Sequence, residues 1–135
     1  MAETRLHIGG ESTELAAVVL RIGSARIARE HFRHDPPTPL ELENAIAAVE
    51  DEIERVHKLV EPGRRFCTRD TLLRDIALEI GVAPASEMEL ALDAVEHAFR
   101  RLPSHPVGKE KAAALLILRE LMHHFGFAAL VVRAA

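Results

Sequence analysis

The stretch 108–132, GKEKAAALLILRELMHHFGFAALVV, decides the fold. Between Gly108 and Phe125 its middle, Ala112 to Leu118, is entirely apolar, which is typical of a helix that is buried on all sides. Gly126 follows, and Phe127 to Val132 is short, apolar and β-branched at its end, as in a buried terminal strand. A buried helix that leads directly into a buried strand predicts an α/β protein.

The clearest helix upstream runs from Thr38 to Val60. Thr38 is suited to be the N-cap, Pro39 to the first turn, and Glu41 completes a capping box. Its apolar side chains recur at spacings of three and four and form one stripe: Leu42, Ile46, Val49, Ile53, Val56 and Val60.

Two more helices are predicted between this helix and Gly108. The first spans about Asp70 to Ile80. The second follows Ser86, which repeats the capping-box pattern with Glu89. Its inward-facing residues would be Ala91, Val95, Ala98, Phe99 and Leu102.

The first third of the chain is ambiguous. Arg5 to Ile8 alternates briefly, a glycine turn follows, and Glu14 to Ile22 could return as a second strand. The segment Glu11–Arg33 also fits a helical period. The prediction is therefore an α/β domain with a small mixed sheet and flanking helices, with a mostly helical bundle as the alternative. One domain, 1–135, is expected at this length.

Composition narrows the function classes. The formal charge of −4 and the lack of Trp and Tyr argue against binding to nucleic acid. With one cysteine, Cys67, the chain cannot form an internal disulfide, which favours a reducing compartment. No signal peptide is apparent, and no apolar run is long enough to span a bilayer. A cytoplasmic protein without nucleic-acid or membrane partners is expected.

Five motifs follow one another in the order of a known family. His7 to Leu15, HIGGESTEL, matches the pattern D-I-G-G-G-S-T-E-L at seven of nine positions. The segment 22–27, IGSARI, is similar to L-G-S-V-R-L. Next come the proline connection 34–39 and the segment 67–72, CTRDTL, where the family has G-T-x-x-T-L. The last motif is His105-Pro106 with the helix and strand behind it. The chain resembles a shortened second half of the exopolyphosphatase / guanosine pentaphosphate phosphohydrolase family.

The resemblance implies a fold like one actin-like (ribonuclease H-like) subdomain. It also implies a candidate phosphate-binding turn, whose backbone N–H groups would surround the anion. Its members are Gly9, Gly10, Ser12, Thr13 and Glu14. Mg²⁺ would be the cofactor if this turn is functional; otherwise no cofactor is expected. The competing interpretation is an ordinary hairpin turn, with Glu14 in solvent.

The chain departs from the family pattern within these functional motifs. His7 replaces the aspartate, and Glu11 replaces a turn glycine, so that a carboxylate stands where a phosphate would bind. Like charges ~4 Å apart repel by roughly 1–4 kcal/mol at intermediate dielectric. Cys67 replaces the glycine of the later motif. In the family, the water-activating carboxylate comes from the other half, so we predict no catalytic residue here.

Histidines offer a weaker hypothesis. His31, His34 and Asp35 have a spacing that could suit metal ligands at a helix end. The alternative is polar surface at a helix C-terminus, where basic groups suit the dipole. We predict no metal site.

Two functions of different classes remain at this point. The first is a non-catalytic binding or regulatory module with weak binding of phosphate or a nucleotide. The second is a hydrolase of polyphosphate or guanosine pentaphosphate that needs a partner chain or a dimer to complete its site. A homodimer is expected, because the family's second half normally packs on its first half and because the 42–60 stripe has heptad-like spacing.

Overall fold

The computed structural model describes residues 4–9, 15–20, 23–56, 65–68, 71–126 and 128–133. Within them the elements follow in the order β1 (Thr4–Gly9), β2 (Leu15–Leu20), α1 (Ser24–His31), α2 (Pro39–Val56), β3 (Arg65–Thr68), α3 (Thr71–Ile80), β4 (Glu87–Ala91), α4 (Leu92–Arg100), α5 (Lys109–Phe125) and β5 (Ala129–Arg133). The α/β prediction is confirmed, and the helical-bundle alternative is wrong.

The strands form one mixed sheet in the order β2-β1-β3-β5-β4. β1 pairs antiparallel with both β2 and β3. β3 and β5 are parallel, whereas β4 is antiparallel to β5. Consequently β2 and β4 are the two edges of the sheet.

The ambiguous segment 11–33 contains one strand and one helix. Leu15–Leu20 is β2, and α1 begins at Ser24. Gly23 separates them in an extended conformation and accepts the first hydrogen bond of α1, from Ile27 N at 3.0 Å. Phe32, directly after α1, is buried. The helical period therefore belongs only to the second part of the segment.

The helix predicted to follow Ser86 begins later. The residues that follow Ser86 form β4, and α4 starts at Leu92. Met88 and Leu90 are buried while their neighbours are exposed. This is the period of two of a strand, so Glu89 belongs to β4 and not to a capping box. Among the residues predicted to face inward, Val95 and Leu102 are buried, Ala98 and Phe99 pack against the core, and Ala91 is exposed.

The core is built around α5, which packs against α1, α2 and α4. Every residue from Ala112 to Leu118 is buried, as its apolar run predicts. Gly126 ends α5 with a left-handed φ of 68°, a conformation that glycine adopts without strain.

The apolar stripe of α2 faces this core. Val49 and Ile53 are fully buried, and Leu42 and Ile46 pack against the buried cluster. Residues 57–60, which the sequence predicted as the end of this helix, lie outside the described residues. No helix in the described part of the chain has the length and apolarity needed to cross a membrane.

Candidate functional site

The predicted phosphate turn begins where β1 ends. Gly9 is the last residue of β1, and its backbone lies opposite Leu15 on β2 and Arg65 on β3. The described part of β1 therefore ends at the side of the sheet where β3 begins. The other predicted members lie outside the described residues: Gly10, Ser12, Thr13 and Glu14.

Cys67 and Thr68, which begin the second motif of the sequence, lie toward the opposite end of the strands from Gly9. Because β3 is antiparallel to β1, Cys67 lies opposite His7, and β3 continues to Thr68 and away from the turn. The three residue steps from Arg65 to Thr68 span about 10 Å along a strand. Cys67 and Thr68 are 6% and 1% exposed. The structure thus pairs His7, the first residue of one motif, with Cys67, the first residue of the other, while Gly9 and Thr68 lie toward opposite ends of the strands.

The connection between α1 and α2 is organised by one carboxylate. Glu41 accepts hydrogen bonds from the backbone N–H groups of Thr38 (2.9 Å) and Arg33 (2.6 Å). In return, Glu41 N donates to Thr38 Oγ1 at 3.2 Å. The predicted capping box is present. These backbone hydrogen bonds lower the pKa of Glu41 to about 2.

The histidine hypothesis falls on the same connection. His34 Nδ1 lies 3.1 Å from Glu41 Oε1. No three His, Cys, Asp or Glu side chains are arranged to hold a metal ion within the described ranges. His34 therefore belongs to the capping network of α2.

The His105-Pro106 motif lies in a tight turn between α4 and α5. The carbonyl of Arg101 accepts hydrogen bonds from Ser104 N at 3.1 Å and from His105 N at 2.7 Å. Gly108 then adopts a φ of 98° and caps α5, accepting from Ala112 N. These bonds hold the His105 ring beside the end of α4.

The contacts of the His105 ring indicate which of its nitrogens carries the hydrogen. Arg101 Nη2 lies 3.0 Å from His105 Nε2. Since a guanidinium can only donate, Nε2 accepts and the hydrogen of a neutral ring is on Nδ1. Nδ1 lies 3.1 Å from Ser104 Oγ, which can accept from it because that hydroxyl donates to the Arg101 carbonyl at 3.3 Å.

A cavity of about 620 Å³ opens beside this turn, between α3, α4 and the start of α5. One wall is apolar and includes Ile76, Ile80 and Leu115; the face of α4 opposite includes His97 and Arg101. Volumes of 300–1,000 Å³ with an apolar lining and a few polar groups are typical of sites for small molecules.

Sequence reasoning missed the polar wall of this cavity. Asp93, His97 and Arg101 follow one another at intervals of four, so they share one face of α4. That spacing was the available signal. A polar face on a helix is usually solvated, and these three side chains are exposed, with α3 and the 101–108 turn forming the other sides of the cavity.

A second polar cluster joins α4 to α5 on another side. Arg119 Nε donates to Glu96 at 3.1 Å and its guanidinium lies over the Phe99 ring, while His123 also contacts Glu96. Burial acts to raise the pKa of Glu96, but the hydrogen bonds of His123 and Arg119 outweigh it and hold that pKa below its ordinary value. We interpret this cluster as a link between the two helices.

The geometry defines an α/β fold with a five-stranded mixed sheet. Known structures have the same fold. The crystal structure of the Aquifex aeolicus member of the Ppx/GppA family superposes with a TM-score of 0.80 at 19% identity; the match covers 99% of this chain and 49% of the other. The type II crystal structure of the Aquifex aeolicus Ppx/GppA phosphatase gives the same TM-score and identity. An exopolyphosphatase-like protein gives 0.75 at 18% identity, over 98% of this chain and 52% of its own.

No family model and no curated protein matches the chain. These structures confirm the predicted resemblance. The confirmation concerns the fold alone, because the sequence identities are below 20%. The chain spans about half the length of the structures it matches.

Proposed function

We propose that this chain is a non-catalytic binding or regulatory module with the fold of the second half of a Ppx/GppA phosphatase. The observation that carries the proposal is that His7, where the family pattern has an aspartate, lies on β1 opposite Cys67, where it has a glycine. It supports the proposal because the family pattern is changed in both motifs at the one place in the sheet where they meet. A phosphoanhydride hydrolase needs its phosphate and metal contacts to converge on one point.

The substitutions in the turn favour the same proposal. His7 and Glu11 stand where the family pattern has an aspartate and a glycine. Both changes oppose a bound metal–phosphate pair, since one carboxylate is lost and another is placed beside the anion. Weak binding of phosphate or a nucleotide by the turn, with Mg²⁺ as its cofactor, remains part of the proposal. The cytoplasm is the proposed location.

A phosphate-release assay tests the absence of catalysis. The purified 135-residue chain, with Mg²⁺ and polyphosphate or guanosine pentaphosphate, is expected to release no more phosphate than a heat-denatured sample. Turnover clearly above that background would favour the alternative, a hydrolase completed by a second copy or a partner chain.

The turn itself is tested by restoring the family pattern. The double variant His7→Asp/Glu11→Gly is expected to bind phosphate or a nucleotide more tightly, because it removes a repulsion and relaxes the turn. Thermal-shift titration measures this. An unchanged titration in a folded double variant would contradict a phosphate-binding turn.

We also propose a homodimer, formed through β2 and not through the α2 stripe, whose described members Leu42, Ile46, Val49 and Ile53 pack inside the chain. β2 is an edge strand of the sequence LAAVVL, without a charge. The other edge, β4, exposes Glu87 and Glu89. Charges on an edge strand prevent pairing with another chain, and an uncharged edge invites it.

Light scattering distinguishes the two edges. A mass near twice 14.9 kDa is expected for the wild type. Ala16→Lys and Ala17→Lys each add a charge to β2, and at least one folded variant should be monomeric. Glu89→Gln on β4 is the matched control and should leave the mass unchanged. A wild-type mass of one chain at micromolar concentration would contradict the dimer.

A further inference from the structure

The cavity between α3, α4 and the start of α5 is separate from the β1–β2 turn, and its two walls differ in character. Ile76 and Leu115 are each 3% exposed and belong to the buried core. Val107, at 38%, is one of the few large apolar side chains exposed in the described part of the chain, and it also lines the cavity. Ile76 and Leu115 therefore form the floor of this wall, and Ile80 and Val107 supply the accessible apolar surface for the body of a ligand.

The opposite wall carries polar groups with unused hydrogen-bonding capacity. The imidazole of His97 and the carboxylate of Asp93 make no hydrogen bond or ion pair with the rest of the described chain. Arg101 has five N–H donors, and only Nη2 is engaged, with His105. The tight turn 101–105 fixes the backbone of Arg101, whose carbonyl accepts from Ser104 N and His105 N.

The charges around the cavity define what it would accept. Lys111 forms an ion pair with Glu79, so its charge is balanced. Arg101 is then the one unbalanced permanent cation among the described lining residues. Asp93 is two turns earlier on α4, about 12 Å along the helix axis, and at that separation solvent and salt screen its repulsion. One guanidinium matches a monoanion, and its fork geometry matches a carboxylate.

We propose that this cavity binds a small organic carboxylate with an apolar body. Arg101 binds the carboxylate through two N–H donors, and the His97 ring donates a further hydrogen bond. The hydrocarbon part lies on Ile80 and Val107, the lining residues with accessible apolar surface. This site does not depend on the phosphate turn, so either proposal can fail while the other stands.

Titration with hexanoate, followed by amide NMR shifts, tests the proposal. Saturable shifts confined to the cavity lining are expected, with a Kd of about 1 mM or tighter for a ligand of this size. 1-Hexanol, which has the same tail without the charge, should bind at least about tenfold more weakly, since a charge-assisted hydrogen bond contributes on this scale. Absence of saturable shifts, or equal binding of hexanol, would overturn the proposal. Saturable binding of inorganic phosphate at the same residues, without hexanoate binding, would also overturn it.

Two variants assign the binding to the two walls. Arg101→Gln should weaken hexanoate binding about tenfold or more, whereas Arg100→Gln, the adjacent exposed arginine outside the lining, should leave it unchanged. Ala94→Phe fills the cavity from α4 without altering any charge and should abolish binding in a chain that keeps its circular dichroism. If Arg101→Gln unfolds the chain, the Ala94→Phe result decides. Binding unchanged by Ala94→Phe, or reduced equally by Arg100→Gln, would overturn the proposal.

Discussion

The start of α2 and its contact with α5 are stabilised in different ways. At its start, Glu41 accepts two backbone N–H groups and its pKa is lowered to about 2. Further along, α2 meets α5 through apolar packing, where Glu120 is 6% exposed. Burial is the main reason that the pKa of Glu120 is raised, and the charge of Glu50 on α2 adds to it. A carboxylate near a helix contact stabilises the fold when hydrogen-bond donors surround it, as at Glu41. It destabilises the fold when burial dominates, as at Glu120.

The largest effect on the free energy of unfolding is expected in the apolar core around α5. Leu116 is fully buried in the middle of α5, and Leu116→Ala should lower the free energy of unfolding by about 2–5 kcal/mol through lost burial and a cavity. Leu40→Ala, at a position 66% exposed on α2, should change it by less than about 0.5 kcal/mol. Urea denaturation measures both. Similar values for the two variants would contradict a core centred on α5.

Features encoded within a few residues could be predicted from the sequence. The capping box of Thr38 and Glu41 and the burial of 112–118 both depend on local spacing, and both are present. β3 and β4 could not be predicted so easily, because strands of four or five residues are defined by the strands they pair with. The same applies to Ser86 and Glu89, which match the capping-box pattern in front of a strand.

The candidate sites show the same division. The similarity of 7–15 to a phosphate-turn pattern is visible in the sequence. Its position relative to Cys67 depends on strand direction, which no local pattern determines. The cavity depends on three elements that are distant in the sequence, and its polar wall on α4 stays exposed, so the sequence alone does not distinguish it from an ordinary solvated face.

The polar end of α2 is tested by a matched pair of hydroxyl deletions. Thr38→Ala removes the acceptor for Glu41 N and should destabilise the chain by about 1 kcal/mol, the usual effect of losing an N-cap. Ser86→Ala deletes a hydroxyl in the same sequence pattern but not at a helix start, and should change stability by less than about 0.5 kcal/mol. Thermal unfolding of both variants gives the comparison. An equal loss in Ser86→Ala would mean that the pattern, and not the helix start, determines the effect.

The pH dependence of stability separates the two carboxylates. The folded pKa of Glu41 is lowered from 4.5 to about 2, so its stabilising effect is present above pH 4.5 and is lost as the pH falls from there toward 2. The difference in melting temperature between the wild type and Glu41→Gln should therefore shrink between pH 7 and pH 3. Glu43→Gln, an exposed neighbour on α2, is the control and should show a small difference at both pH values. A gap for Glu41→Gln that stays constant would contradict the role of the charged form.

The smallest effect is expected at Glu120, with the opposite sign. Its folded pKa is raised above 4.5, so the folded state favours the protonated form and loses stability as the pH rises through that raised value. Arg119 Nη1, 3.5 Å from Glu120 Oε2, offsets part of this loss. Glu120→Gln should therefore raise the melting temperature slightly at pH 7, by less than Thr38→Ala lowers it, and the gain should vanish at pH 4. Glu50→Gln should give a small gain at pH 7 that disappears when Glu120 is already Gln, because the repulsion between the two carboxylates is then absent. A loss of stability in Glu120→Gln at pH 7 would show that the ion pair with Arg119 outweighs the burial of the charge.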